Sequence, residues 1–374
     1  MTLAAMEYHS VPRFGAMMMT ANRRTRRKPA PAPLGALDAA VARERLLAIV
    51  PRFAGRRVAV LADLVADEFV HGDFDRISRE APVPILTHRR TLVVPGGGGN
   101  AVANLRALGA RPLPVGIVGR DEAGRKMLDA FSRAGIERSL IRVDPAYSTP
   151  SKSRILAGGV HTRRQQIVRV DRGGGELPAR AGPALRRALA TALSRAEGLL
   201  VADYGYGAAT PELVGGVRRP RGMPLLVDSR ARVAQFREAA GCTPNQEELE
   251  RALGLAPLDD AADGRAVEIA GRRLLRRTGN RAVLVTRGAR GVCLVQRGRR
   301  SLHVPAYGSD EVADVTGAGD TVIAVFTLAL LAGADFSDAA RLANYAAGLV
   351  VMKAGTATLC VDEIIGAIEQ SPAR

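Results

Sequence analysis

The stretch Asp314-Val315-Thr316-Gly317-Ala318-Gly319-Asp320 runs directly into Thr321-Val322-Ile323-Ala324-Val325-Phe326. Two glycines flank one alanine, a carboxylate follows, and a long apolar segment begins at once. This order predicts a tight turn at the N-terminus of a buried helix, with successive backbone N–H groups left open. Unsatisfied N–H groups and the positive end of the helix dipole make such a turn an anion site. A carboxylate on the rim of an anion hole is out of place if holding phosphate is the only task. It fits if Asp320 takes a proton from a hydroxyl that attacks a phosphoryl group held above it. An ordinary Gly-rich loop with a helix-capping Asp reads the same seven residues equally well.

Outward from this turn, short apolar runs recur: Val58 to Asp63, Leu113 to Gly119, Gly198 to Asp203, Leu225 to Asp228 and Ala282 to Thr286. Helical patterns fall between them at about 100–108, 124–134, 181–196, 210–218, 246–253 and 263–278. Buried strands alternating with helices predict an α/β fold whose mostly parallel sheet is covered on both faces. Asp63, Asp203 and Asp228 stand at strand C-termini, the edge where open α/β sheets bind ligands. Strand-like segments at about 69–94 and 152–170 break the alternation and are expected to form a small β lid over that edge. Residues 1–35 read as a disordered basic tail, and residues 36–374 as one domain that opens with a helix over 36–50.

The chain has 374 residues, 47% hydrophobic and 24% charged, a balance that belongs to soluble globular proteins and needs no disulfide or metal staple. Cys242, Cys293 and Cys360 are too scattered for a zinc site and read as buried thiols in a reducing cytoplasm. No apolar run approaches a bilayer's thickness. The cluster Arg23 to Lys28 follows a short apolar patch, the reverse of a secretory signal. A net charge of +17 raises nucleic acid as a partner. The arginines are scattered along the chain, however, and with no Trp there are few platforms on which bases could stack. A non-catalytic nucleic-acid-binding regulator therefore stands only as a reading from another class. A basic surface equally suits a sugar phosphate and a nucleotide.

Four weaker patterns each have a plain structural reading beside the functional one. Gly96 to Gly99 before Asn100 let backbone approach a polyol, or form a flexible loop with an Asn cap. Asp63 and Asp67 flank a strand end and suit sugar hydroxyls, or are surface carboxylates. Asn245 and Glu248 share one helix face and suit the hydration shell of Mg²⁺, or form a capping pair. Thr286 to Gly291 follow a strand: Gly288 and Gly291 allow a turn from which Thr286 and the arginines can reach phosphate oxygens, or the stretch belongs to a β-hairpin. The histidines lack metal-ligand spacing.

Together these motifs resemble the ribokinase-like pfkB carbohydrate kinases, whose D-x-T-G-A-G-D turn is similar to Asp314 through Asp320. The resemblance covers roughly residues 56–370 and implies a three-layer α/β/α sandwich with a small β lid. Within the family, Arg76 to Pro84, Pro95 to Asn100, Gln165 to Asp171, Asp203-Tyr204 and Ala343 to Thr356 are similar to bacterial D-glycero-D-manno-heptose 7-phosphate kinases. The resemblance implies ATP and Mg²⁺, with Asp320 as catalytic base and Gly317, Ala318 and Gly319 as the anion hole. Asp63, Asp67, Gly97, Gly98 and Asn100 would bind the sugar, and Lys152, Arg154, Arg164 and Arg169 its 7-phosphate. Asn245 and Glu248 would hold Mg²⁺ through water, and Thr286, Gly288, Gly291 and Asn344 would line the nucleotide site. A homodimer paired through the lids is also implied. Ala62, Tyr206 and Arg230 depart from the family pattern at positions that bear on substrate identity. A fructose phosphate, ribose or a nucleoside is the alternative acceptor. The chain ends at Arg374 without an H-x-G-H motif, so a stand-alone kinase is expected.

Overall fold

The computed structural model describes residues 34–158, 165–259, 264–308, 314–353 and 355–371. The basic run of the N-terminus and Arg164 lie outside them. Thirteen strands are found among the described residues: β1 (Arg57–Ala62), β2 (Leu64–Ile77), β3 (Pro84–Gly97), β4 (Arg111–Gly119), β5 (Ile141–Asp144), β6 (Ser151–Gly158), β7 (Gln165–Arg172), β8 (Gly198–Asp203), β9 (Leu225–Ser229), β10 (Gly241–Cys242), β11 (Ala282–Thr286), β12 (Val292–Gln296) and β13 (Leu302–Val304). Nine of them form the main sheet in the order β13-β12-β11-β10-β9-β8-β1-β4-β5. It is parallel from β5 to β11, and β12 and β13 add antiparallel at one edge.

Strand periodicity decides how the layers close. In β1, Val58, Val60 and Ala62 face one apolar cluster, while Ala59 and Leu61 face a second across the sheet. The two-residue repeat sends neighbours to opposite faces, so a strand apolar throughout must be covered twice. Helices Gly98–Ala107, Ala318–Leu331, Phe336–Val351 and Val361–Gln370 cover the first face. Helices Ala181–Leu193, Gln246–Leu253 and Arg265–Thr278 cover the second. Helix Ala318–Leu331 is buried at every position from Asp320 to Ala329, which its all-round apolar sequence requires.

The remaining strands form a separate four-stranded sheet, β3-β2-β6-β7. The sequence suggests short β pieces over 69–94, but β2 and β3 are 14-residue strands, irregular at His71/Gly72 and Phe74/Arg76. Pro82 lies in the connection between them and Pro84 opens β3 opposite Ile77, at the hairpin end where a ladder donor is not needed. The helix after the four glycines starts at Gly98, two residues before the expected Asn100.

Gly98, expected from the sequence to meet the sugar, packs closely against the main sheet. A Cβ there would lie 2.6 Å from Ala62 Cβ and 3.1 Å from Ala202 Cβ. Helix Gly98–Ala107 therefore rests directly on β1 and β8, and any side chain would lift it. Gly98→Ala is expected to lower unfolding stability by about 1–3 kcal/mol, the usual cost of overpacking. Chemical denaturation measures it, and an unchanged midpoint would refute the packing assignment.

Candidate active site

The C-terminal ends of β8 to β11 open into a cleft of about 340 Å³. Gly317 precedes the first turn of helix Ala318–Leu331 with φ +82°, a left-handed conformation in which a side chain would be strained. A Cβ there would also collide with Asn100 Nδ2. Ala318 N–H donates to Val315 O at 3.3 Å, and Thr321 N–H closes back on Gly317 O at 3.1 Å. The N–H groups of Gly317, Gly319 and Asp320 find no acceptor among the described residues. The anion cradle is therefore narrower than the sequence suggests: Ala318 spends its donor inside the turn, while Gly317 and Gly319 line the cleft.

Asp320 lines the cleft from a buried position. Tyr204 Oη donates to its Oδ1 at 2.6 Å, and Asn100 Nδ2 donates to its Oδ2 at 3.0 Å. Asn104 Nδ2 in turn reaches Asn100 Oδ1 at 3.1 Å and fixes which way that amide points. Burial pushes the Asp320 carboxyl up to about 7; the two hydrogen bonds pull it down, and Asp67 pushes it up further. Asn100, expected from the sequence to meet a sugar hydroxyl, thus has its Nδ2 on the acid and, at 3.3 Å, on Gly317 O. It holds the acid.

Other predicted residues separate into those that meet the cleft and those that do not. Asp67, Gly97, Lys152, Arg154, Arg169, Asn245, Glu248 and Thr286 all line it. Asp67 is already engaged: Arg154 Nη1 donates to its Oδ1 at 2.8 Å and Thr356 Oγ1 to its Oδ2 at 3.1 Å. A side chain on Gly96 would collide with the same carboxylate. Arg154 thus answers Asp67, and Arg169 is paired with Asp171 at 2.8 Å. Lys152 Nζ and Arg230 Cζ sit over the Tyr204 ring, at 5.4 and 5.0 Å from its centroid. Neither has an ion-pair partner among the described residues. Burial, then Arg230, push the Lys152 ammonium below its ordinary value.

Asp63 does not reach the cleft. Its carboxylate accepts backbone N–H bonds from Tyr204, Tyr206, Ala208 and Ala209 at 2.8–3.2 Å. A strand-end carboxylate satisfied this way folds the chain after β8 and so places Tyr204. Asp203 is likewise engaged by Ser229 and Arg232. Gly288, Gly291 and Asn344 are not among the residues lining the cleft. A Cβ at Gly291, in the turn between β11 and β12, would collide with Val304 O of the neighbouring β13. Asn344 Nδ2 donates to Pro305 O at 2.8 Å.

Asn245 and Glu248 form a reciprocal capping box on helix Gln246–Leu253, each accepting the other's backbone N–H. They line the cleft as well, beside Asp228 and Thr243, so the structural and functional readings coexist. Asp228 is pushed well above its ordinary value by burial, then by Glu248 and Asp320; burial also raises Glu248. Two crowded carboxyls beside an amide and a hydroxyl form an all-oxygen donor set that suits Mg²⁺ keeping several waters.

The sequence reading assigned no role to Tyr204 or Thr356, and took Arg230 only as a departure from pattern. Asp228 was visible as a strand-end carboxylate. A hydrogen bond to an ionised carboxylate favours the charged form. The ¹³C carboxyl signal of Asp320 is therefore expected to titrate near pH 7, and Tyr204→Phe to move that midpoint upward. A midpoint near 4, or one unmoved in Tyr204→Phe, would refute this account of the acid.

Residues 218–364 match the family description "pfkB family carbohydrate kinase". The chain is 41% identical over 327 residues to a protein of Caulobacter vibrioides named Bifunctional protein HldE, covering 85% of this chain and 65% of that one. A protein of the same name from Geobacter sulfurreducens is 42% identical over 317 residues, with 83% and 62% covered. The chain thus spans less than two thirds of these relatives' length. Among solved structures, Escherichia coli phosphofructokinase-2 in complex with substrates and products aligns with TM-score 0.65 and 17% identity, over 84% of this chain and 98% of that one. Arabidopsis thaliana ribokinase complexed with ribose and ATP aligns with TM-score 0.63 and 19% identity, over 85% and 100%. These two share the fold. With the signature turn opening a buried helix at the strand-end cleft, the profile match over residues 218–364 and the relatives agree on what this chain is similar to: the pfkB family of carbohydrate kinases.

Proposed function

We propose that this protein transfers the γ-phosphoryl group of ATP to the anomeric hydroxyl of D-glycero-D-manno-heptose 7-phosphate, giving the 1,7-bisphosphate. The observation that carries the reading is Asp320: a buried carboxyl near pH 7, held by two side chains, beside backbone donors without acceptors. The relatives named HldE, about 40% identical over more than 80% of this chain, support the choice of sugar.

In this mechanism Asp320 accepts the hydroxyl proton as the oxygen attacks the γ-phosphorus in line. The bond from γ-phosphorus to its bridging oxygen breaks, and ADP leaves. N–H groups of Gly317 and Gly319 offset charge on the transferred group, in a site where such donors act with little reorganisation. Mg²⁺, held by Asp228 and Glu248 with Asn245 nearby, would supply further charge neutralisation. Lys152 and Arg230 face the cleft without carboxylate partners among the described residues and suit the distal phosphate of the sugar; Arg169 lines the cleft with them. The four-stranded sheet acts as a lid that excludes water and limits ATP hydrolysis.

The base must be ionised to accept a proton, so kcat/KM should fall tenfold per pH unit below about 7 and level off above it. Asp320→Asn should lose about 10²–10⁴-fold in kcat with little change in ligand binding. A coupled ADP-release assay on heptose 7-phosphate, sedoheptulose 7-phosphate, fructose 6-phosphate and ribose is the decisive panel. Heptose 7-phosphate should be preferred, and Lys152→Ala should raise KM only for phosphorylated acceptors. Preference for ribose or fructose 6-phosphate would move the assignment to another kinase of the family. Near-normal turnover in Asp320→Asn would remove the base.

We also propose a homodimer that buries the outer lid, where Phe74, Ile77, Val83, Leu92, Ile167 and Val168 are exposed. Light scattering after gel filtration should return twice the 39.5 kDa chain mass; a monomer at micromolar concentration would overturn it.

A further inference from the structure

A larger cavity, about 580 Å³, lies at the opposite end of the main sheet. Pro224 before β9, Ala240 before β10, Arg281 before β11, Gln296 at the end of β12 and Arg297 and Arg299 after it bring it to the N-terminal edge of the parallel strands. Leu330 and Phe336 supply part of its apolar wall. Leu330 and Asp320 are ten residues apart on one helix, about 15 Å by its rise. The cavity is therefore separate from the candidate active site.

Its charge is unbalanced. Arg281, Arg297 and Arg299 have no ion-pair partner among the described residues. The single carboxylate in the wall, Asp335, caps helix Phe336–Val351 by accepting from Asp338 N–H at 2.8 Å. The Arg281 guanidinium lies over the Phe336 ring, 5.4 Å from its centroid. Three guanidinium forks recognise phosphate, and a ring with a stacked guanidinium receives a planar base. The volume falls in the range of small-molecule sites.

We infer that this cavity is a second anion site, built for a nucleoside di- or triphosphate. The base packs beside Arg281 and Phe336, and the phosphates meet Arg297 and Arg299. The site is independent of the sugar assignment and of Asp320.

Equilibrium dialysis with labelled ADP tests it by counting nucleotides per chain, with pyrophosphate and adenosine as competitors. The R297E/R299E double variant alters two exposed side chains, and Arg281→Gln is an independent second variant; thermal melting checks that each is folded. Each variant should bind one ADP fewer per chain than the unchanged protein, or bind it at least tenfold more weakly. Pyrophosphate should displace the ADP that the variants lose, and adenosine alone should compete weakly. ADP counts and affinities equal to those of the unchanged protein in both variants would overturn the proposal. Displacement by adenosine but not by pyrophosphate would overturn it too.

Discussion

A carboxylate removed from water must be given donors, or it gives up its charge. Asp320 is held at that balance. Tyr204 and Asn100 each donate to one oxygen, burial opposes both, and the outcome is a carboxyl pushed up to about 7. Most of the local architecture serves those two donors. Asn104 orients Asn100, and the helix that carries both rests on β1 and β8 through Gly98. Asp63 gathers four amides of the chain after β8 and so delivers Tyr204 to the same point. A raised acid is also a stability term. Folding favours the neutral carboxyl, so stability is full below about pH 4 and declines as the pH rises to about 7. The loss is on the order of 4 kcal/mol.

The cleft shows why two carboxylates at one strand end can have unlike fates. Asp63 and Asp67 are four residues apart, and both are almost wholly buried. Asp63 meets backbone donors and stays inside the fold. Asp67 lies on β2, which leaves the main sheet for the smaller one, and it meets Arg154, Thr356 and the open cleft. The cations sort in the same way: Arg154 and Arg169 answer carboxylates, whereas Lys152 and Arg230 each lie over the Tyr204 ring. Two cations over one ring, neither with an ion-pair partner among the described residues, leave a concentrated positive field beside the acid, suited to an anionic acceptor.

The high positive charge is not spread evenly in effect. At many positions Arg is neutralised by a neighbour, as with Arg195 and Glu137 or Arg180 and Asp144. Lys152 and Arg230 at the cleft, and Arg281, Arg297 and Arg299 at the cavity on the opposite edge of the same sheet, have no ion-pair partner among the described residues. A parallel sheet presents all its strand ends at two rims, so loops that carry charge meet there.

Much of this was legible from the chain alone. Apolar strands alternating with amphipathic segments dictate a covered parallel sheet, because each strand has two faces to bury. The turn from Gly317 to Asp320 announces an acid at a helix start, because positive φ and an abrupt apolar run leave few other conformations. Long-range partners were not legible. Tyr204, 116 residues from Asp320, becomes its donor only when β8 and helix Ala318–Leu331 meet. Gly98 and Asp63 read as ligand contacts in one dimension because glycine and carboxylate suit polyols; in three dimensions a neighbouring Cβ and four amides claim them first. Local sequence dictates backbone geometry and burial period, while the choice among possible partners of a polar group is made by packing, which alone decides what lies within 3 Å.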